Sequence, residues 1–572
     1  MDFTFAHLRS LPAGPKSLAQ IVSAAWRGLR KGVNIWSLVT LTVAIVVCFP
    51  LLMILVTAFK PSGDAIQHIA STLLFQLLKN TAILVVGVGS CSLVLGVSLA
   101  WLTSMCDFPG RRFFSWALLL PMAVPAYVLA FTFIGLFDYT GPVQSLLRSA
   151  ALPGLPNVRS VWGVILVLSL ALYPYVYLLA RNAFKTQGMR AMEAARSLGH
   201  GPVQGFFKVA LPMARPWIVG GTMLVVMETL ADFGAVSIFN FDTFTTAIYK
   251  AWFGFFSLPA AAKLSLPLIL FAFTALTLEG RSRARMGFTV MGSGRSSANL
   301  FALGSPGKYL ATAYASFILM LAFLIPAGQL IVWASRSVSV ELDSRYFSLL
   351  TTTLMLGALS SILICIVSLM LSYTGTRIAS PFLRNITRVS TLGYALPGTV
   401  LAVGIFMTVA GFDSVLDRMW SYLPGSSRGP FLQGTMLVMV AGYMVRFLAV
   451  GHSSIDSSMQ RVTRSLHETA RLMGLKGIDL IRRVYLPLLR GGVLTAAILV
   501  FVDVMKELPI TLMTRSFGLG TLATKIFELT SEGEWERAAL PAITLIIVGL
   551  IPVAILTRLS DGSGDERKGQ EK

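Results

Sequence analysis

Four carboxylates lie in or at the ends of apolar stretches of this 572-residue chain: Glu228, Asp232, Asp503 and Glu507. Acidic side chains in such surroundings are costly and need a reason. Asp232 and Glu507 are 275 positions apart, and other residues recur at that interval. Glu193-Ala194-Ala195, then Gly199, then Val209-Ala210-Leu211-Pro212 returns as Glu468-Thr469-Ala470, Gly474 and Val484-Tyr485-Leu486-Pro487. Every internal offset is the same, Arg196 matches Arg471, Lys208 matches Arg483, and Thr246 falls opposite Thr521. Such carboxylates offer hard oxygen ligands to a cation in passage. The competing readings are that they pair with Lys506 and backbone groups, or help dock another protein.

Covalent chemistry is not indicated, and no catalytic residue is expected. The closest approach to a phosphate-binding loop, Gly304-Ser305-Pro306-Gly307-Lys308-Tyr309, lacks both the spacing and the hydroxyl. No Ser/His/Asp or Cys/His arrangement is legible. The five histidines are scattered, and only His452 and His467 share a loop. Cys48, Cys91, Cys106 and Cys365 have no paired spacing, so neither a disulfide framework nor a zinc site is expected.

The elements that must hold these residues are membrane helices. Hydrophobic residues make up 55% of the chain and charged ones 13%, too apolar for a soluble protein of this size. A span takes about 20 apolar residues. Twelve such stretches fall near 35–58, 80–103, 113–137, 161–180, 217–238 and 259–279, then 309–334, 350–373, 388–410, 431–450, 488–507 and 538–557. The fold class is therefore all-α polytopic, about 12 transmembrane helices in two tandem six-helix halves. The expected divisions are a cytoplasmic segment 1–34, a first six-span domain 35–279, a cytoplasmic Gly/Ser/Arg-rich linker 280–308, a second six-span domain 309–557 and a cytoplasmic tail 558–572. Residues 1–34 do not read as a secretory signal, because the first apolar run starts late and is too long. The halves also share Pro125-Ala126-Tyr127-Val128-Leu129-Ala130 and Pro397-Gly398-Thr399-Val400-Leu401-Ala402, at an interval of 272. Six spans return the chain to its starting side, so the halves run in the same direction and a pseudo-two-fold along the membrane normal follows.

A net charge of +21 raises the question of nucleic acid. With the N-terminus in the cytoplasm, most Lys and Arg gather in the internal loops, around 181–215, 281–308 and 461–490 among others. The basicity is thus topological, of the positive-inside kind, and no nucleic-acid partner is expected. Both termini are expected to be cytoplasmic, in a multi-pass protein of the bacterial inner membrane.

The repeated signature has helix-forming residues before Gly199 and a second short helical stretch, 202–210, leading to Leu211-Pro212, which is expected to redirect the chain toward the next span. A helix–break–helix across the cytoplasmic face results near 187–216, and again near 462–491. Its residues resemble the EAA loop of ABC-importer permeases, and two copies resemble two fused permease halves of the type I kind. The stretches Glu228–Ser237 with Phe244–Trp252, and Phe501–Pro509 with Thr521–Thr524, look like fused permeases of ferric-iron importers. Thiamine permeases share the fused plan and the loop. The resemblance implies an ATP-driven importer translocating ferric iron from a periplasmic binding protein, with thiamine or another small solute as the alternative cargo. It implies two copies of a separate ABC ATPase as partners, with ATP and Mg used there and no cofactor in this chain. The coupling residues would be Glu193, Ala194, Ala195, Gly199, Leu211 and Pro212, with Glu468, Thr469, Ala470, Gly474, Leu486 and Pro487. Glu193 and Glu468 would orient the loops. Thr469 departs from the alanine usual there. Glu228, Asp232, Asp503 and Glu507 would flank the pathway without forming a high-affinity metal site, since tight binding would prevent release. A secondary transporter would need no ATPase, and a membrane-embedded enzyme would need a catalytic constellation; the paired loops argue against both.

Overall fold

The computed structural model describes residues 35–60, 71–197, 199–285, 300–377, 381–420, 431–475, 477–516 and 518–562. Residues 1–34, the middle of the expected linker (286–299) and the end of the tail (563–572) lie outside these. Among the described residues, eleven helices are long and apolar enough to cross a membrane, from Trp36–Ala58 to Gly477–Met505. A further 28-residue helix, Trp535–Gly562, stands where the twelfth span is expected. Among the described residues the fold is all-α, apart from one two-residue pairing of Cys106–Asp107 with Phe301–Ala302.

The third expected span and its repeat are not single helices. The third is divided into Arg111–Ala117, a 3-10 turn at Leu120–Ala123, and the apolar helix Ala126–Phe137. Its repeat is divided the same way, into Pro381–Ser390, Leu392–Ala395 and Gly398–Trp420. Pro125 and Pro397 stand at the final breaks, where a residue without an N–H cannot continue a helical ladder and biases the preceding residue towards extended backbone. In the first half two buried tyrosines cross to carbonyls in this broken segment: Tyr173 donates to Leu118 O and Tyr177 to Ser115 O, both at 3.0 Å. Carbonyls in a broken ladder need such partners.

The described helices gather into two compact units that interleave the sequence halves. In one, the first helix of the chain, Ile35–Ala58, joins residues 256–266 and 348–521. It lies so close to the Gly398–Trp420 helix that a Cβ on Gly404 would sit 2.7 Å from Pro50 O. Trp36 meets Tyr373 with ring centres 5.0 Å apart. In the other unit, the opening helix segments of the second half, Ser305–Leu319 and Ile325–Glu341, pack on first-half elements. Tyr314 shares a 2.9 Å hydrogen bond with Ser98, and a Cβ on Gly135 would collide with the Trp333 ring. The Trp535–Gly562 helix belongs to this unit too, and a Cβ on Gly549 would lie 2.7 Å from Ala123 O. Each half thus lends its first helix to a unit built mainly from the other.

Candidate functional site

The first loop grows from the Val161–Ala183 helix, which passes through a π-turn at Phe184–Gly188 into the Met189–Ser197 helix. That helix ends at Gly199, whose φ is +80°. The Gly199 N–H donates to Arg196 O and the His200 N–H to Ala195 O, both at 2.9 Å. These two bonds form a Schellman cap, which requires a left-handed residue at the glycine position. The second loop closes identically. Its Arg464–Leu472 helix ends at Gly474, φ +86°, where the Gly474 N–H donates to Arg471 O at 3.0 Å and the Leu475 N–H to Ala470 O at 3.2 Å. An added Cβ on either glycine would meet nothing within 4 Å, so left-handed backbone alone asks for glycine there.

Two alanines of the signature, Ala195 and Ala470, sit inward, and the side chain of Ala194 lies outside the described ones. Ala195 is fully buried and Ala470 nearly so. A Cβ on Gly205 would lie 2.7 Å from Met192 Cε and 3.3 Å from Ala195 Cβ, which is how closely the two arms of the first loop meet. Glu193, Glu468 and Thr469 are exposed, so the threonine in place of alanine puts no hydroxyl into an apolar core.

Beyond the glycine turn the expected redirection at Leu-Pro does not occur. Helix runs without interruption from Val203 to Ala231, and from Gly477 to Met505. Each run contains one π-turn, Phe206–Ala210 and Ile481–Tyr485, immediately before Leu211-Pro212 and Leu486-Pro487. Proline removes the N–H that would reach the carbonyl four residues back and crowds that carbonyl; a wider turn relieves both. Pro212, Leu486 and Pro487 are exposed, and Leu211 is half-buried.

Different aromatic groups brace the two loops. At the first, Phe206 meets Trp101 at 4.6 Å, and Arg196 stacks over Phe301 at 4.3 Å. At the second, buried Tyr485 bonds to His467 Nδ1 at 2.8 Å and meets Tyr373 edge-on at 5.5 Å. The outward sides are apolar: Val203 is 71% exposed, its repeat counterpart Ile478 76%, and Leu472 89%. Exposed large aliphatics beside a polar rim suit a protein partner.

The four carboxylates occupy the ends of the fifth spans. The first is not continuous to 238: the Leu211–Ala231 helix stops, Asp232 is extended, and a short helix, Gly234–Ile238, follows. Asp232 Oδ1 accepts the Val236 N–H at 3.0 Å, and the Thr245 hydroxyl donates to Asp232 O at 2.7 Å. The repeat reaches a similar arrangement with a threonine that is not the counterpart of Thr245. Leu486–Met505 ends before Glu507, whose Oε1 accepts the Ile510 N–H at 3.0 Å as the Pro509–Thr514 helix begins, and Thr511 donates to Glu507 O at 2.7 Å. Asp503 pairs with Lys506 at 2.9 Å, and Glu228 is half-buried. The equivalent acids therefore each cap a short helix at the same place in the repeat. Sequence reading passed over one further charged residue, Arg446, whose Nε lies 3.6 Å from Glu507 Oε2. Its only signal was one arginine within a long apolar run. Among the described residues no three His, Cys, Asp or Glu side chains are grouped to hold a metal ion.

Residues 92–286 and 372–562, one stretch per sequence half, match the family described as binding-protein-dependent transport system inner membrane component. The chain belongs to that family. It is a fused two-half, multi-pass permease of the ABC-importer kind, and the family implies an ATPase and a substrate-binding protein as partners. The permease is 26% identical over 527 residues to the Fe(3+)-transport system permease protein FbpB 2 of Haemophilus influenzae, covering 91% of this chain and 97% of that one. It is also 28% identical to the molybdenum transport system permease protein ModB of Escherichia coli, over 33% of this chain and 84% of that protein. The sulfate transport system permease protein CysW of Escherichia coli matches at 28%, over 34% of this chain and 66% of that protein.

Proposed function

We propose that this permease carries ferric iron across the bacterial inner membrane, driven by two copies of a separate ATPase, one seated on each Schellman-closed loop. The observation that carries the ATPase reading is the duplicated loop, with the same helix, cap and π-turn in both halves and an exposed aliphatic at the same place in each. The cargo reading rests on the named ferric relative, which this chain matches along nearly its full length. ATP and Mg belong to the ATPase, and the permease needs no cofactor of its own. A periplasmic binding protein delivers the ion, and no tight site holds it on the way.

Both termini, the 280–308 linker and both loops face the cytoplasm in this reading, on the concentration of Lys and Arg in those segments. In a background without native cysteines, Ser293→Cys should react with an impermeant thiol reagent only after the membrane is opened. Reaction in intact cells would overturn the orientation.

The acids divide into capping and conducting duties. Asn at position 232 keeps an oxygen to cap the Gly234–Ile238 helix while removing the charge. We expect Asp232→Asn to slow radiolabelled ferric uptake severalfold with normal membrane insertion, and Asp232→Ala to lose in addition about 1 kcal/mol of stability with the cap. Wild-type uptake by Asp232→Asn would reduce the residue to a cap. A deletion strain that takes up ferric iron normally but cannot grow without thiamine, or without molybdate, would replace the cargo.

A further inference from the structure

Arg446 lies at the eleventh position of the 24-residue Met436–Met459 helix, a place where an unpaired cation is expensive. Its partner is Glu507, and the two side chains are only 12% and 6% exposed. One carboxylate is thereby shared: Oε1 caps the Pro509–Thr514 helix, and Oε2 faces the guanidinium. The pair also needs space. A Cβ on Gly398 would collide with Nη1 of Arg446 and lie 2.9 Å from Glu507 Oε1.

The first half lacks all three features. Gly398 corresponds to Ala126, Glu507 to the shorter Asp232, and the intervals of 272 and 275 that relate the halves carry Arg446 to Pro174 or Ala171. These differences belong together. A methyl group in place of the Gly398 hydrogen would force the guanidinium to shift from its place beside Glu507, and the longer glutamate reaches both the cap and the cation. The two halves thus fix the same break differently, one with a backbone cap and one with a cap locked by a buried ion pair.

We infer that Arg446 is a positioning residue: it holds the Glu507 carboxylate where the cap of Pro509–Thr514 requires it, and Gly398 is glycine to admit it. The inference rests on the reading of these breaks as part of the transport machinery, and not on which solute moves. Losing one member of a buried ion pair leaves the other charge uncompensated, whereas losing both is far better tolerated.

The test is a mutant cycle in the full-length permease assembled with its ATPase. It is read as ATP hydrolysis stimulated by the purified binding protein, and in parallel as the melting temperature of the complex. Arg446→Met should lower the maximal stimulated rate at least tenfold, with the binding-protein concentration for half-stimulation unchanged. Arg446→Met with Glu507→Gln should recover at least threefold over Arg446→Met alone. Gly398→Ala should resemble Arg446→Met by itself and cost clearly less in the Arg446→Met background, where the collision with Nη1 is gone and only the contact with Glu507 Oε1 remains. If Arg446→Met assembles poorly, Arg446→Lys with and without Gly398→Ala gives the same comparison with the charge retained. Equal cost of Gly398→Ala in both backgrounds, or a full stimulated rate in Arg446→Met, would overturn the inference. Failure of the wild-type complex to move iron would sink the cargo reading and leave this cycle readable.

Discussion

Replacing Gly199 and Gly474 should reduce uptake in the order Gly, Asn, Ala, Val. The reason is backbone alone: both sit at φ of +80° or more, and a Cβ on either meets nothing within 4 Å. Asparagine tolerates left-handed backbone better than alanine. Alanine pays about 1–2 kcal/mol, and a β-branched residue pays more. If coupling requires the capped geometry, Gly199→Val or Gly474→Val should each cost about tenfold in uptake, since about 1.4 kcal/mol is a factor of ten. The double variant should cost about a hundredfold, with the chain still inserted. Uptake that instead tracks side-chain volume in the order Ala, Asn, Val would assign the effect to crowding and contradict the Schellman account.

A larger loss of ATPase association is expected from Val203→Asp with Ile478→Asp. These two occupy the same place in the repeat and are 71% and 76% exposed, so a carboxylate there disturbs little of the permease itself. Burying that carboxylate in a partner's apolar groove without a counter-charge costs several kcal/mol. Single variants should weaken ATPase binding at least tenfold in a titration of ATPase against immobilised permease, and the double variant should retain none. Wild-type binding by the double variant would show that the ATPase sits elsewhere.

The sequence made the repeat and the spans legible because both are written in local terms. A fixed interval locates the two signatures, and twenty-residue apolar runs locate the helices. The breaks at Pro125 and Pro397 were visible as matched motifs but were absorbed into spans, because hydropathy continues through a 3-10 turn as it does through a helix. The ends of the fifth spans were overrun for the same reason: Phe233-Gly234-Ala235-Val236 is as apolar as what precedes it, and only the Asp232 cap divides them. The lending of first helices between units has no local signature. It depends on fits such as Gly404 against Pro50 and Gly135 against Trp333, which couple residues hundreds of positions apart. Arg446 was hidden by its neighbours, since one arginine scarcely alters the hydropathy of the run around it. The Leu-Pro pairs misled in the other direction: proline ordinarily ends a helix, and here a π-turn lets the helix continue through it.

The central claim is that two ATPase-coupled loops drive ferric iron through one fused permease. The most direct test reconstitutes the permease with its ATPase in vesicles, adds binding protein loaded with radiolabelled ferric iron outside, and encloses ATP or a non-hydrolysable analogue. The account predicts iron accumulation inside with ATP and none with the analogue, abolished in the Val203→Asp, Ile478→Asp variant. Accumulation that proceeds with the analogue, or vesicles that take up molybdate or thiamine under ATP but not iron, would contradict it.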